Sequence, residues 1–404
     1  MQKDWRYQTA TIKGLVWVNM VGTYGIASAQ YHWGRMAALI LRILYATFPD
    51  IHWAFVFVDD FALLVPKHLA QTLCFVITCF LEALGLPISW KKTAVGSPNS
   101  WLGYLISCET ITATLMPDKQ LVITQTLQRL ASSRHLAVDE VHKMAGRLNW
   151  ATMIYPLMRP FLHPIFAWLT ALLRRQENQK WGTVKARPTD TVKVVANTLS
   201  NIFAYVPPSL RPAHTHSRIL AATDAGARTV AGLHEAVVGG WYTTSASNKW
   251  GAHWFFTKID PVTHPWAYDK GDPQKKIAVL ELYGSLLLYR HIIVTHPALS
   301  INMQLTLATD NRGNAYQVTN HKAKNSTAAA MLMELSLIQH HSHSPVQLTH
   351  TYRENNAWAD SLTHCNSEGF NPSMQFKPDQ ANWHILHKLI PGLPGQTTTG
   401  GVTP

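Results

Sequence analysis

The sequence predicts an α/β protein: a mixed sheet with flanking helices in the C-terminal half, preceded by a smaller α+β region and a helical stretch. Three observations carry this. Short runs rich in β-branched, aromatic and aliphatic residues end in acids, as in Phe55-Val56-Phe57-Val58-Asp59-Asp60, Leu220-Ala221-Ala222-Thr223-Asp224 and Leu305-Thr306-Leu307-Ala308-Thr309-Asp310. Between them lie segments with apolar residues at helical spacing. The 404 residues are 47% hydrophobic and only 14% charged, which gives room for two or three domains with sizeable cores.

The formal net charge of +12 favours a polyanionic partner, nucleic acid or an anionic membrane surface. The basic residues are dispersed, which fits a folded groove better than a basic tail. Cys74, Cys79, Cys108 and Cys365 show neither CxxC nor zinc-finger spacing, so a reducing compartment is expected. Met1-Gln2-Lys3-Asp4-Trp5-Arg6 leads into no apolar leader. The most membrane-like segment, 68–86, contains Gln71 and Glu82 and runs into Gly85 and Pro87, so a packed helix is expected there. These features predict an intracellular protein, cytoplasmic or nuclear, without a membrane partner; they leave the oligomeric state open. His340, His341 and His343 are expected in a solvated loop.

In chain order, a strand is predicted over 14–21, then a stretch of small residues. A helix follows over 27–48, with Met36, Leu39, Ile40, Ile43 and Leu44 at helical spacing. Two buried strands are predicted on either side of Asp59-Asp60, with the acid pair in a tight turn. Asp is a good turn residue, which is one sufficient reading. The other is a cation site, because adjacent carboxylates in an apolar setting repel and are poorly solvated. A helix over 69–84 ends at Gly85, and a short strand is expected over 100–106. Residues 107–205 read as mostly helical. Pro117 and Asp139 open helices, and Pro156, Pro160 and Pro164 interrupt the pattern. Lys143, Arg147 and Arg159 are either phosphate contacts or solvated surface. A proline-rich linker is expected within 187–216.

The C-terminal half has strand-like runs at 229–234 and 251–257, a helix over 276–291 carrying Glu281, a strand over 303–309 ending at Asp310-Asn311, a helix over 327–338 and a strand over 346–351. Arg353-Glu354-Asn355-Asn356-Ala357-Trp358-Ala359-Asp360 follows. Each acid alone reads as a helix cap or a helix-edge residue. Together, Asp224, Glu281, Asp310 and Asp360 sit in or at the ends of apolar elements, where open α/β sheets place ligand sites. They can converge on two cations roughly 3.5–4 Å apart. The tail, 367–404, is rich in Pro, Gly and Thr and is expected to be mostly disordered.

The order of parts carries a resemblance. Tyr24-Gly25-Ile26-Ala27-Ser28-Ala29-Gln30 precedes a helix, Phe57-Val58-Asp59-Asp60 lies in a hairpin, and Leu86-Pro87-Ile88-Ser89-Trp90-Lys91-Lys92-Thr93 and Trp101-Leu102-Gly103-Tyr104-Leu105-Ile106 follow. Residues 20–106 thus resemble the palm of a reverse transcriptase, with DIRS-type retrotransposons most similar. The resemblance implies that Asp59, with Asp60, binds metal. It places Tyr24, Gly25 and Gln30 at the nucleotide and template pocket, Lys92 (or Lys91) near the incoming triphosphate, and Trp101-Leu102-Gly103 in the primer grip. Phe57 replaces the usual Tyr. The family's other palm Asp stands on a strand well upstream of the Tyr24 turn, and Asp4 lies too close to that turn to match it. The fingers and first catalytic carboxylate are therefore expected to be missing, and DNA synthesis by this chain alone is not expected.

Residues 216–366 resemble the ribonuclease H domain that follows the polymerase in such elements. The matches are Asp224 in Thr-Asp-Ala-Gly-Ala, Glu281 in Leu-Glu-Leu-Tyr-Gly, Asp310 in Thr-Asp-Asn-Arg-Gly-Asn, and Asp360 in Asn-Asn-Ala-Trp-Ala-Asp. Glu354-Asn355 and Thr363-His364 depart from the family's ending. By this resemblance, Mg²⁺ or Mn²⁺ is the cofactor, and Asn311 and Asn314 either contact the hybrid's backbone and 2′-hydroxyls or hold the turn. The organisation implied is a partial reverse transcriptase palm (1–115), a helical thumb, connection and linker (116–215), a ribonuclease H-like domain (216–366) and the tail. The expected activity is two-metal cleavage of RNA in RNA–DNA hybrids, with template–primer and dNTP as further partners. The rivals are a non-catalytic transposon relic, a co-opted nucleic-acid-binding protein, and a repair- or integrase-type nuclease of the same fold.

Overall fold

The computed structural model describes residues 9–18, 27–178, 183–205, 215–244, 248–300, 303–390 and 392–393. The chain divides into two units, 1–110 and 111–404.

In the first unit, β1 (Thr9–Ile12) and β2 (Leu15–Val18) form an exposed hairpin. Helix α1 (Ala27–Thr47) precedes the hairpin of β3 (Trp53–Phe57) and β4 (Asp60–Leu64), and α2 (Ala70–Ala83) follows. Ile40, Leu44, Ile51, Ile77 and Leu81 make the core, with Phe61 and Leu63 packed against it. Two expectations are corrected here. The β3–β4 strands are not buried: Trp53 and Phe55 are 59% and 50% exposed, because a two-stranded hairpin is covered on one face only. The acid pair does not form the turn. Phe57 pairs with Asp60, so the two-residue loop is Val58-Asp59, with Val58 at φ 55°. The single strand expected over 100–106 is also a hairpin, β5 (Asn99–Trp101) and β6 (Tyr104–Ser107), turned at Leu102-Gly103 with φ 53° and 83°.

The second unit opens with β7 (Thr112–Leu115), α3 (Pro117–Ser132), β8 (Leu136–Ala137) and α4 (Val138–Ala151). Then come α5 (Leu162–Asn178), β9 (Lys185–Ala186) and α6 (Asp190–Tyr205). Pro117 occupies the first turn of α3, where its missing N–H costs nothing. Pro156 and Pro160 lie in a 3₁₀ helix, Pro156–Phe161, and Pro164 sits in the first turn of α5. Helix α3 packs on α6 and α4 on α5, while the 3₁₀ helix packs against α10 of the sheet region.

That sheet holds β10 (Thr215–Val230), β11 (Leu233–Thr243), β12 (His253–Ile259), β13 (Met303–Thr309) and β14 (Val346–His350). Its order is β12-β11-β10-β13-β14. The first three strands run antiparallel, and β10, β13 and β14 run parallel. The helices are α7 (Ile277–Thr295), α8 (Pro297–Ser300), α9 (Arg312–Asn320), α10 (Ser326–Ser342), α11 (Ala357–Thr363) and α12 (Leu386–Leu389). This is a mixed sheet with flanking helices, as the sequence predicts. The run at 229–234 is not a strand of its own. Ala231 and Gly232, at φ 49° and 82°, are the two-residue turn between β10 and β11, which are far longer than anticipated.

Helix α7 is buried on every side and forms the centre of the core, with Leu280, Leu282, Tyr283, Leu286 and Leu287. By length and composition the stretch 273–295 could cross a membrane, but 67% of its most apolar window is buried inside the fold. Val238 contacts α7 and its neighbour Gly239 contacts α11, so the two helices cover opposite faces of the sheet. His340 and His341 lie in the last turn of α10, with His343 as its left-handed cap, and not in a loop. The described part of the tail is also ordered: Phe370, Trp383, Ile385, Leu386 and Ile390 are buried. The fully buried Glu334 carboxylate accepts bonds from His384 N and Nδ1 (2.9 and 2.8 Å), Ile385 N (2.8 Å) and Leu386 N (3.0 Å). Residues after 393 lie outside the described residues.

Candidate active site

The two parallel strands place the first two acids. Their register ends at Ala222 opposite Ala308, so Asp224 and Asp310, each two residues on, fall side by side. Glu281 comes from α7, which approaches the sheet closely because of a glycine. A Cβ on Gly284 would stand 2.5 Å from Val238 Cγ1 and 3.8 Å from the Asp224 carbonyl oxygen. Gly284 lies three residues after Glu281, on the same side of the helix. Thr223 Oγ1 and Ser285 Oγ, 2.9 Å apart, tie strand to helix at this point. On the opposite face, Gly239 admits Leu362 of α11, whose Cβ would lie 2.8 Å from a glycine Cβ there.

One ligand atom from each of Asp224, Glu281 and Asp310 lies within 4.8 Å of the other two. Asp224 and Glu281 are each only 7% exposed. Asp360, on α11, is not in this trio. Its Oδ1 accepts from Arg353 Nη2 at 3.2 Å, and its Oδ2 lies 3.9 Å from His364 Nε2. Asp360 still adds to the negative field felt by Asp224, as does Asp310.

Both asparagines serve the cluster from within. Asn311 caps α9 by accepting from Asn314 N at 3.1 Å. Asn314 is buried, and its Nδ2 donates to Ala278 O at 2.7 Å and to Glu281 Oε2 at 3.3 Å. Asn311 thus caps the turn, whereas the side chain of Asn314 reaches across to α7. Sequence reasoning gave no role to Gly239, Gly284, Arg353 or Asn356. Asn356 donates to Thr223 O at 3.2 Å, and its Oδ1 is buried with no hydrogen-bond partner among the described residues. The available signals were the Gly239-Gly240 pair inside an apolar run and Asn356 within the Asn-Asn-Ala motif.

The residues assigned to polymerisation are not gathered in this way. Asp59 and Asp60 are exposed on the β3–β4 hairpin, in contrast to the apolar setting expected for them. Lys92 is exposed in a 3₁₀ turn, Trp90–Lys92, and Gln30 is exposed on α1. Tyr24 and Gly25 lie outside the described residues. Among the described residues, the group of three acids close enough to share a metal is Asp224, Glu281 and Asp310.

No family model matches the chain, and no curated protein does. Solved structures do. A ribonuclease H1 isolated from compost by a metagenomic approach is 19% identical, covering 37% of this chain and 95% of that one, with a TM-score of 0.28. A ribonuclease H1 of the same origin, in complex with an RNA/DNA hybrid, is 18% identical over 37% of this chain and 96% of its own, with a TM-score of 0.28. Ribonuclease H1 from the halophilic archaeon Halobacterium salinarum is 13% identical over 36% and 94%, with a TM-score of 0.26.

The electrostatics of the cluster follow from its burial. Desolvation, then the charge of Asp310, pushes the Asp224 carboxyl up to about 7, against a bond from Ala225 N at 2.8 Å. Desolvation pushes Glu281 up to about 8; hydrogen bonds from Asn311 and Asn314 oppose this, and the charges of Asp310 and Asp224 add to it. Three carboxylates this close resist full ionisation by themselves. A divalent cation removes that penalty, and the donors are all oxygen, as a hard cation requires. The cluster offers the oxygen ligands a divalent metal would use.

Proposed function

We propose that the sheet region is a ribonuclease H that cleaves the RNA strand of RNA–DNA hybrids with Mg²⁺ or Mn²⁺. The observation that carries this reading is the trio Asp224, Glu281 and Asp310, the first two buried and the third half-buried, with ligand atoms within 4.8 Å of one another. When bound, the cations would supply an activated water and stabilise the leaving 3′ oxygen. Asp224 would hold them from the middle of β10, Asp310 from just past the end of β13, Glu281 from α7 and Asp360 from α11. Asn311 and Asn314 fix the Glu281 carboxylate, and Arg353 holds Asp360 at the rim. The net charge of +12 favours a polyanionic duplex as substrate.

The test compares hybrid cleavage by the full chain and by its Asp310→Asn variant in Mg²⁺. The expected outcome is metal-dependent cleavage that falls more than about 100-fold in the variant, beyond the cost of losing an outer-shell partner. Cleavage that survives both chelation and the substitution would overturn the proposal. Salt-sensitive hybrid binding without cutting would instead support the relic or co-opted binder.

For the first unit we infer descent from a reverse transcriptase palm of a DIRS-type retrotransposon, supported by the order of motifs in residues 20–106. Template–primer and dNTP binding belong to that inference. DNA synthesis is not assigned to this chain, because Asp59 and Asp60 are joined by no third acid among the described residues. Primer extension by the purified chain would refute this assignment.

A further inference from the structure

Away from the carboxylates, a cavity of about 840 Å³ opens between the helical region and α10. Pro164, Ala167 and Ala171 of α5 give it accessible apolar walls, with Trp168, Leu172 and Met333 buried behind them. Arg175, Lys185 and Arg187 also line it, and all three are exposed. Among the described residues, none of the three forms an ion pair and no carboxylate lines the cavity. Three like charges around one opening repel each other, and an anion placed between them relieves that repulsion.

The cations stand on a fixed frame. Strand β9, which carries Lys185, pairs with β8 through Leu136–Ala186 and Ala137–Lys185. Val184 N donates to Gln176 Oε1 at 2.7 Å, tying the strand to the end of α5 next to Arg175. Arg187 precedes Pro188, which restricts it to an extended backbone. Helix α6 starts here, with Thr189 Oγ1 accepting from Val192 N at 3.3 Å.

The volume lies in the range of small-ligand sites. An apolar body with one carboxylate would leave most of the positive charge unmatched. A flat ring carrying a phosphate chain matches both the walls and the charge. We propose that this cavity is a second binding site, for a nucleoside phosphate, either free or as an unpaired unit of a nucleic-acid strand. The base lies against Pro164, Ala167 and Ala171, and the phosphates meet Arg175, Lys185 and Arg187. The site shares no residue with the carboxylate cluster.

The test is a metal-free titration of the full chain, so an inactive nuclease leaves the result readable. One arm uses a fluorescent nucleoside diphosphate, the other a labelled single strand bearing a 5′-phosphate. Saturable binding is expected in at least one arm, and the arm that saturates identifies the source. The double variant Arg175→Ala, Arg187→Ala should bind at least about tenfold more weakly, with an unchanged thermal melt because both side chains are exposed. Lys119→Ala, on α3, should bind as the wild type does. Failure of both arms to saturate, or a double variant that binds like the wild type, overturns the proposal.

Discussion

Asp224 and Asp310 each stand two residues past the last paired positions of two parallel strands, Ala222 on β10 and Ala308 on β13. Equal offsets place the two carboxylates beside each other without any loop having to choose a conformation. The closeness of the acids is therefore a property of the sheet register. Glu281 joins them because Gly284 lets α7 settle against Val238.

The charge penalty stored in that register is measurable. The Asp224 carboxyl is raised to about 7, so the folded protein keeps a proton that the unfolded chain has already lost. Stability then falls as pH rises from about 4 toward 7, because the native state binds more protons than the unfolded one. Asp224→Asn removes this loss. Without metal, the variant should melt like the wild type near about pH 4 and become the more stable of the two as pH rises, by about 0.5–2 kcal/mol. Urea unfolding of both proteins across that range checks it; added Mg²⁺ should close the gap by stabilising only the wild type.

Asn314 should control metal affinity without itself holding metal. Its amide fixes Glu281 Oε2 and at the same time bonds the Ala278 carbonyl of the same helix. Asn314→Ala should weaken Mg²⁺ binding by about 10–100-fold, the usual cost of removing a group that orients a ligand. Metal titration followed by calorimetry would show it.

Gly284 leaves no room for a side chain, since a Cβ there meets Val238 Cγ1 at 2.5 Å. Gly284→Ala should destabilise the sheet region by about 1–3 kcal/mol through overpacking, and should lower hybrid cleavage as Glu281 shifts. Pairing it with Val238→Ala makes space and should recover part of both losses, read by urea unfolding and cleavage rate.

Glu334 holds the chain beyond residue 367 in place. Burial works to raise its pKa, but the bonds from His384, Ile385 and Leu386 overcome this and hold it below the usual carboxylate range. Its contribution is present above the unfolded-state value and lost as pH falls through the lowered native one. Glu334→Ala strands several buried donors and should cost at least about 3 kcal/mol. Protease cleavage within 367–390 should appear first.

The four acids of the sheet region are legible in the sequence because each ends or interrupts an apolar element, in an order chance does not readily produce. What surrounds them is harder to read. The turn at Ala231-Gly232 hides in a run of strand formers, so β10 and β11 are taken for shorter pieces. Asp59-Asp60 looks buried because Trp53, Phe55 and Phe57 are apolar, yet those rings lie on the uncovered side of a hairpin. Composition also misjudges 367–390, where a few anchors, Phe370, Trp383 and Leu386, outweigh the surrounding Pro and Gly. Single apolar anchors in a polar segment leave no periodic trace.

The clasp between α10 and residues 384–386 has a consequence for inheritance. The smallest portable piece of this chain does not stop at the last of the four acids, Asp360, but runs to about residue 390. A mosaic gene that borrowed only the stretch with all four carboxylates would acquire the acids without the peg that keeps α10 seated.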